Sequence, residues 1–513
     1  MRFAPLAAAI LALSAFAASM GGPDAGRYLK TVKYLSSPSM RGRGTGSPEL
    51  DKAAAYIAKQ FRAAGLKPLN ESGYYLPFSV TTSAKLGGNN GFSYAAGGES
   101  VELRSGEDFL PFSFSAAGEV AADAVFAGYG ITAPEYGYDD YAGIDVAGKA
   151  VIILRHEPQE FDEKSVFAGR VYTEHAQFFS KAINARAHGA AAVILVHDVS
   201  NHGSSSDEME KFTTGVGPAG AGIPYVQVKF SIVERWLEAA GKTLRDVAGE
   251  IDKDLQARSY EIPGVRLTIR TEVTRSEKPV HNVAAYLPGE TDEYVVIGAH
   301  YDHLGLGEQF SMAPSDAGKA IHPGADDNAS GTAGVLELAR WFQRRPKGRR
   351  GVLFLCFAGE ELGLLGSSFY INQPALPAGK AVAMLNLDMI GRVRNRKVMV
   401  GGATTGSGLR ELVERLAAKY PFDVDLTETA AYGSSDHTAF TTRSIPVLFF
   451  FTGLHEDYHR PTDTWDKIDG PNTARLLALV GDVAMTLRDA PDRPAFLRPA
   501  QSPALHATSA GAR

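Results

Sequence analysis

The 513-residue chain has a single cysteine, Cys356, so no intramolecular disulfide can form and a disulfide-stapled scaffold is excluded. A chain this long can build enough core without one. Set in the apolar run VLFLCF, Cys356 reads as a buried small hydrophobe and not as a nucleophile. Charge of neither sign dominates: the formal net charge is −6, with both signs spread along the chain. No basic stripe points to nucleic acid, and no acidic block to a solvating tail. No segment is long and apolar enough to span a bilayer. The run Leu6–Phe16 is too short for that. It follows Arg2 and ends on Ala15-Phe16-Ala17, a small-x-small cleavage pattern. Residues 1–17 are therefore predicted to be a signal peptide, and the protein to be exported, periplasmic or secreted. No cysteine follows the run to carry a lipid anchor.

At roughly 100–200 residues per domain, the length implies two or three domains. Residues 27–68 are predicted helical: Ala54, Ile57, Ala58, Phe61 and Ala64 recur at the helical period, and Gly65 and Pro68 stop the run. Residues 78–120 read as short strands and turns. In 120–260, AVFAGYGI (124–131), KAVIIL (149–154) and AAVILV (191–196) read as strands, and 178–190 as a helix. His175, His188, His197 and His202 are scattered there and form no ligand pattern. From about 281 the chain repeats strand, loop and helix. Continuous apolar strands between amphipathic helices predict an α/β fold with a mostly parallel, mixed sheet covered on both faces. The tail from Asp492, rich in Pro, Ala and Ser, is predicted to be disordered.

Polar residues collect just past the apolar runs of this second half. EYVVIGAH ends on His300, GVLFLCFAGEE on Glu360 and Glu361, and AVAMLNLD on Asp388; SIPVLFFFTG precedes His455 and His459. The carboxyl ends of strands in open α/β sheets are where ligands bind. Imidazoles and carboxylates are the donors that zinc takes, and a catalytic site leaves a position open for water.

Six blocks appear in order: GAHYDHLG (298–305), GADDNASG (324–331), FAGEELGLLGS (357–367), NLDMIG (386–391), SSDHTAF (434–440) and DYHRPTDT (457–464). Together they resemble the co-catalytic dizinc aminopeptidases, metallopeptidase family 28. The resemblance covers about 281–470 and the N-terminal helix with its preceding MRGRGTGS (40–47), while 120–260 resembles a protease-associated (PA) domain, a common insertion in this family. It implies a zinc-peptidase (phosphorylase/hydrolase-like) fold. The N-terminal part would span 27–85, the PA-like insert 86–262 with its core at about 120–255, the catalytic domain 263–490 and the tail 491–513. It also implies two Zn2+ per chain. His300 and Asp388 would hold one, Glu361 and His459 the other, and Asp327 would bridge them, with a cis-type peptide expected after Asp327. Glu360 would be the general base toward a metal-bridging water. Tyr458 matches an oxyanion-stabilising position, and Asp302 one that orients His300. Asp326 would be a supporting or packing residue, Asp436 and His437 would brace the pocket, and Asp463-Thr464 would cap a helix. The activity implied is removal of the N-terminal residue of a peptide substrate.

Other readings stay open. Carboxypeptidase or dipeptidase action belongs to the same family, and Arg392 or Arg443 would suit a substrate carboxylate. A receptor-like binding protein shares the architecture but loses its ligands. HEDYH (455–459) matches the H-E-x-x-H zincin motif, which works only on a helix; the strand before it and Pro461 after it oppose one. Side-chain preference and oligomeric state are not legible.

Overall fold

The computed structural model describes residues 21–497 apart from 134–135, 163–164, 168–172, 198–206, 213–216, 239, 314 and 427–434. The signal-peptide reading lies outside these residues. Among the described residues no helix is long and apolar enough to cross a membrane. The chain divides into two compact units, one holding residues up to Phe78 and from Val280 to Leu497, the other Ser79–Pro279. Strands Tyr75–Leu86 and Val273–Leu287 each run through a division point.

The first unit opens with helices α1 (Ala25–Leu35) and α2 (Pro48–Ala63). The single helical stretch expected over 27–68 is thus two helices. Pro38 and the glycines of RGRGTGS break it, and Ser47 restarts it by accepting a hydrogen bond from the Leu50 N–H, with Pro48 in the first turn. Then come β1 (Val273–Leu287, in this unit from Val280), β2 (Tyr294–His300), α3 (Gly331–Gln343), β3 (Gly351–Phe357) and α4 (Leu365–Asn372). They are followed by β4 (Ala381–Leu387), β5 (Lys397–Gly401), α5 (Leu409–Ala417), β6 (Asp423–Asp425), α6 (His437–Thr441), β7 (Val447–Phe451) and α7 (Gly470–Asp489).

From Val280 onward, the strands of this unit lie in the order β1-β3-β2-β4-β7-β5-β6 within the sheet. The four central strands β3, β2, β4 and β7 run parallel, while β1 and β5 are antiparallel to their inner neighbours. Every residue of β2, β3 and β4 is buried, as their unbroken apolar runs require of strands covered on both faces. After β2 the chain goes to one side to form β3, then returns past β2 to form β4 on the other. This reversal of strand order opens a crevice at the carboxyl end of β2, where His300 sits. The tail expected to be disordered from Asp492 is fixed as far as Leu497. Arg493 donates to the Gly379 and Ala381 carbonyls, and the Leu497 N–H to Thr405 O at 2.9 Å.

The second unit is built on an eight-stranded sheet. Its parallel centre comprises Gly118–Phe126, Ala150–Leu154, Ala192–Val196 and Tyr225–Val228. The strand expected to reach residue 131 stops at Phe126, because Gly128-Tyr129-Gly130 turns the chain. Helix Phe178–Ala187 packs against one apolar cluster (Val125, Val151, Val193, Tyr225) and helices Phe230–Glu238 and Leu244–Asp254, the former through Trp236, against another (Phe126, Ile152, Ile194).

Candidate metal centre

The carboxyl ends of β2, β3, β4 and β7 and the turn before α3 converge in the first unit. His300 is the last residue of β2 and is 1% exposed. Asp327 lies in the turn Ala325–Ser330, where φ and ψ of Asp327 and Asn328 leave the helical region and the Asp327–Asn328 peptide is cis, as the resemblance implies. Gly324 leads into the turn at φ +56°; a Cβ there would meet Asp327 O at 2.1 Å, so only glycine fits.

The Asp327 carboxylate faces two ways. Its Oδ1 lies 3.3 Å from His300 Nε2, and its Oδ2 3.2 Å from His459 Nε2. On the His300 side, Asp388 Oδ1 lies 3.4 Å and Glu360 Oε2 3.9 Å from the same imidazole nitrogen. On the His459 side, Glu361 Oε2 lies 3.1 Å from His459 Nε2. Two donor sets therefore share one aspartate. His300, Asp327 and Glu361, and likewise His300, Glu360 and Asp388, offer atoms all within 4.8 Å of one another. Asp388 Oδ1 is buried and accepts no hydrogen bond, although Ser435 donates to Oδ2 at 2.7 Å. A buried carboxylate oxygen aimed into a cluster of imidazoles and left unbonded fits a dication. So does the mixed nitrogen and oxygen donor set.

The charges are strongly coupled. Burial opposes protonation of His300, yet Glu360 and Asp388 hold its pKa well above the ordinary range. Burial likewise opposes it at His459, but Glu361 and Asp327 raise that residue to about 11. Burial and Asp327 work against ionisation of Glu361, but His303 and His459 bring it down to about 2. Glu360 is the opposite case: burial, helped by Glu361 and Asp388, pushes its carboxyl well above the carboxylate range despite His300. The two neighbouring glutamates are thus shifted in opposite directions.

Supporting residues depart from expectation in three places. Asp302 Oδ1 sits 3.7 Å from His300 Nδ1, too far for a hydrogen bond. Its carboxylate is instead held by Thr45 Oγ1 at 2.7 Å and the Glu360 N–H at 3.2 Å. Asp463 does not cap the helical turn that follows it. It accepts the Asp326 and Asp327 N–H groups at 2.9 and 3.1 Å and so fixes the turn that aims Asp327. His303, which sequence reasoning passed over, donates from Nδ1 to Glu361 Oε1 at 2.6 Å; its only signal was the second histidine of HYDH. Asp326 accepts from the Gly391 N–H at 2.7 Å and pairs with His455 Nε2 at 3.1 Å, the supporting part expected of it. Asp436 is fully buried and pushed up to about 7 by that burial, and His437 stacks on Phe449 at 4.5 Å. The Tyr458 ring stacks on His459 at 3.9 Å, and burial, with Asp327 and Glu361, raises its phenol further.

HEDYH lies in irregular chain and a turn, so its histidines share no helical face. They go to different partners, His459 to Asp327 and Glu361, His455 to Asp326. The zincin reading is overturned. Arg392 is committed as well, donating to Asp457 at 2.6 Å and Asp463 at 2.5 Å. Removing it takes the shared cation from two largely buried carboxylates, leaving Lys467 on Asp457 and two backbone N–H groups on Asp463. Arg392→Ala is expected to cost about 3–5 kcal/mol, read from the urea midpoint, as when one partner of a buried pair is deleted.

An α/β protein with two imidazole–carboxylate half-sites joined by one aspartate, at the crevice of a parallel sheet, has donors placed to hold a pair of metal ions. Residues 282–484 match the model of Peptidase family M28, and residues 116–236 match that of the PA domain. A probable leucine aminopeptidase of Arthroderma otae is 29% identical over 43% of this chain and 63% of its own length. Aminopeptidase YwaD of Bacillus subtilis is 28% identical over 66% of this chain and 63% of its own. The chain thus spans less than two thirds of these relatives. A solved aminopeptidase from Aneurinibacillus sp. strain AM-1 aligns over 93% of this chain and 96% of its own, with 23% identity and a TM-score of 0.47.

Proposed function

We propose that this chain is an exported two-zinc exopeptidase that removes the N-terminal residue of peptides. The observation that carries the reading is the Asp327 carboxylate, with one oxygen toward His300 and the other toward His459. His300, Asp388 and Asp327 would hold one zinc, and Glu361, His459 and Asp327 the other. When bound, the pair polarises the scissile carbonyl and activates the attacking water. Glu360 takes a proton from that water on its carboxylate and returns it to the leaving amine. Tyr458, whose phenol keeps its proton, donates to the developing oxyanion. Arg392, tied up by Asp457 and Asp463, is not spare to bind a substrate carboxylate, while Arg443 is exposed and donates to Asn372 at 2.9 Å. The Leu6–Phe16 run supports export.

The test is a panel of aminoacyl anilides beside N-blocked dipeptides, with and without 1,10-phenanthroline. The anilides are expected to be cleaved and the blocked dipeptides spared. Chelation should abolish turnover, and added zinc restore it. Turnover that survives complete zinc removal, or preference for the blocked dipeptides, overturns the reading.

A further inference from the structure

The segment between α1 and α2 reaches into the site. Arg43 has no exposed surface. Its guanidinium donates from Nε to Tyr301 O at 2.8 Å, from Nη1 to Leu35 O at 3.1 Å and Pro323 O at 2.5 Å, and from Nη2 to Gly324 O at 2.6 Å and Asp327 O at 3.4 Å. All five acceptors are main-chain carbonyls. One follows the ligand His300 directly, three belong to the segment that carries Asp327, and the fifth closes α1. The Arg43 carbonyl accepts the His303 N–H at 3.3 Å, and Gly42 O accepts that of Gly305 at 3.1 Å. The backbones touch so closely that a Cβ on Gly42, at φ +72°, would lie 2.3 Å from Gly305 O. Two residues on, Thr45 donates to Asp302, whose other oxygen receives the Glu360 N–H.

A buried cation is a costly way to join loops, and apolar packing would hold them as firmly. What a guanidinium adds is direction: a rigid plane with five N–H groups at fixed angles, where lysine has one compact ammonium with three rotatable donors. We propose that Arg43 is a positioning residue that sets the spacing between the His300 loop and the Asp327 turn, so that both half-sites form in register. Thr45 does the same for Glu360 through Asp302. The inference rests on the two-zinc reading.

The experiment titrates metal-free protein with zinc against a competing fluorescent chelator and measures kcat and KM, for wild type, Arg43→Lys, Thr45→Val and Thr45→Ser. Wild type should bind two zinc ions; fewer than two sinks the two-zinc reading itself. Arg43→Lys should melt cooperatively, bind at least one zinc ~10-fold more weakly or worse, and lose kcat with KM little changed, the scale of losing support behind a ligand. Thr45→Val should keep wild-type zinc affinity with kcat lowered ~10-fold, and Thr45→Ser should restore it. If wild type binds two ions and Arg43→Lys matches it in affinity and kcat, the positioning role is wrong. Should Arg43→Lys fail to fold, the threonine pair decides: wild-type kcat in Thr45→Val, or a serine variant as impaired as the valine one, overturns the proposal.

Discussion

Glu360→Gln is expected to lower kcat by at least ~10²-fold, the usual scale for losing a general base, while zinc content stays at the wild-type level. The substitution keeps the side chain's shape, but it exchanges one acceptor oxygen for an NH2 donor and removes the charge together with the ability to take up and release a proton. Burial, with Glu361 and Asp388 nearby, raises the Glu360 carboxyl despite His300, whereas His303 and His459 lower that of Glu361 against burial. The same geometry defines the opposing result. Glu360 Oε2 lies 3.9 Å from His300 Nε2, on the side of the centre that Asp388 occupies. If elemental analysis shows zinc lost in step with activity, Glu360 is a ligand and not a base.

The HEDYH segment supplies the second large contrast. His459→Ala should remove much of one zinc and nearly all activity, because its Nε2 is the imidazole donor that faces both Asp327 and Glu361. His455→Ala should be milder, since His455 pairs with Asp326 behind the ligand turn. Glu456→Gln should be close to silent, as Glu456 is exposed. Zinc content and kcat of the three variants check this. Loss of turnover in Glu456→Gln together with an unimpaired Glu360→Gln would dismantle the assignment at its centre.

Much of this centre was legible because its residues sit where sequence patterns end. An apolar run that stops on His300, Glu360 or Asp388 announces both a buried strand and the polar side chain at its mouth, and the convergence of parallel strand ends follows from the fold. What escaped reading is held by contacts of long sequence separation. Arg43 bonds to carbonyls some 260–280 positions away, which leaves no periodic trace. Asp463 looked like a cap because an acidic residue precedes a short helical turn; its actual partners are the N–H groups of Asp326 and Asp327. The helix expected over 27–68 overran because the apolar period resumes in register after the break, although Pro38 and the glycines of RGRGTGS were in plain view.

Cys356 lies within β3, paired with Val283 of β1 on one side and Ala299 of β2 on the other, and burial pushes its thiol far above the usual range. The same two neighbours flank the strand that leads to the glutamates. An alkylating or disulfide-exchange reagent can reach this sulfur only after the centre of the sheet opens, so its slow modification is a clock for global unfolding and ignores fraying of loops. Because the sequence has no other thiol, the reading is unambiguous without engineering. Zinc that binds the folded chain should slow that clock in proportion to its occupancy. Thiol protection then measures metal binding without any substrate being turned over.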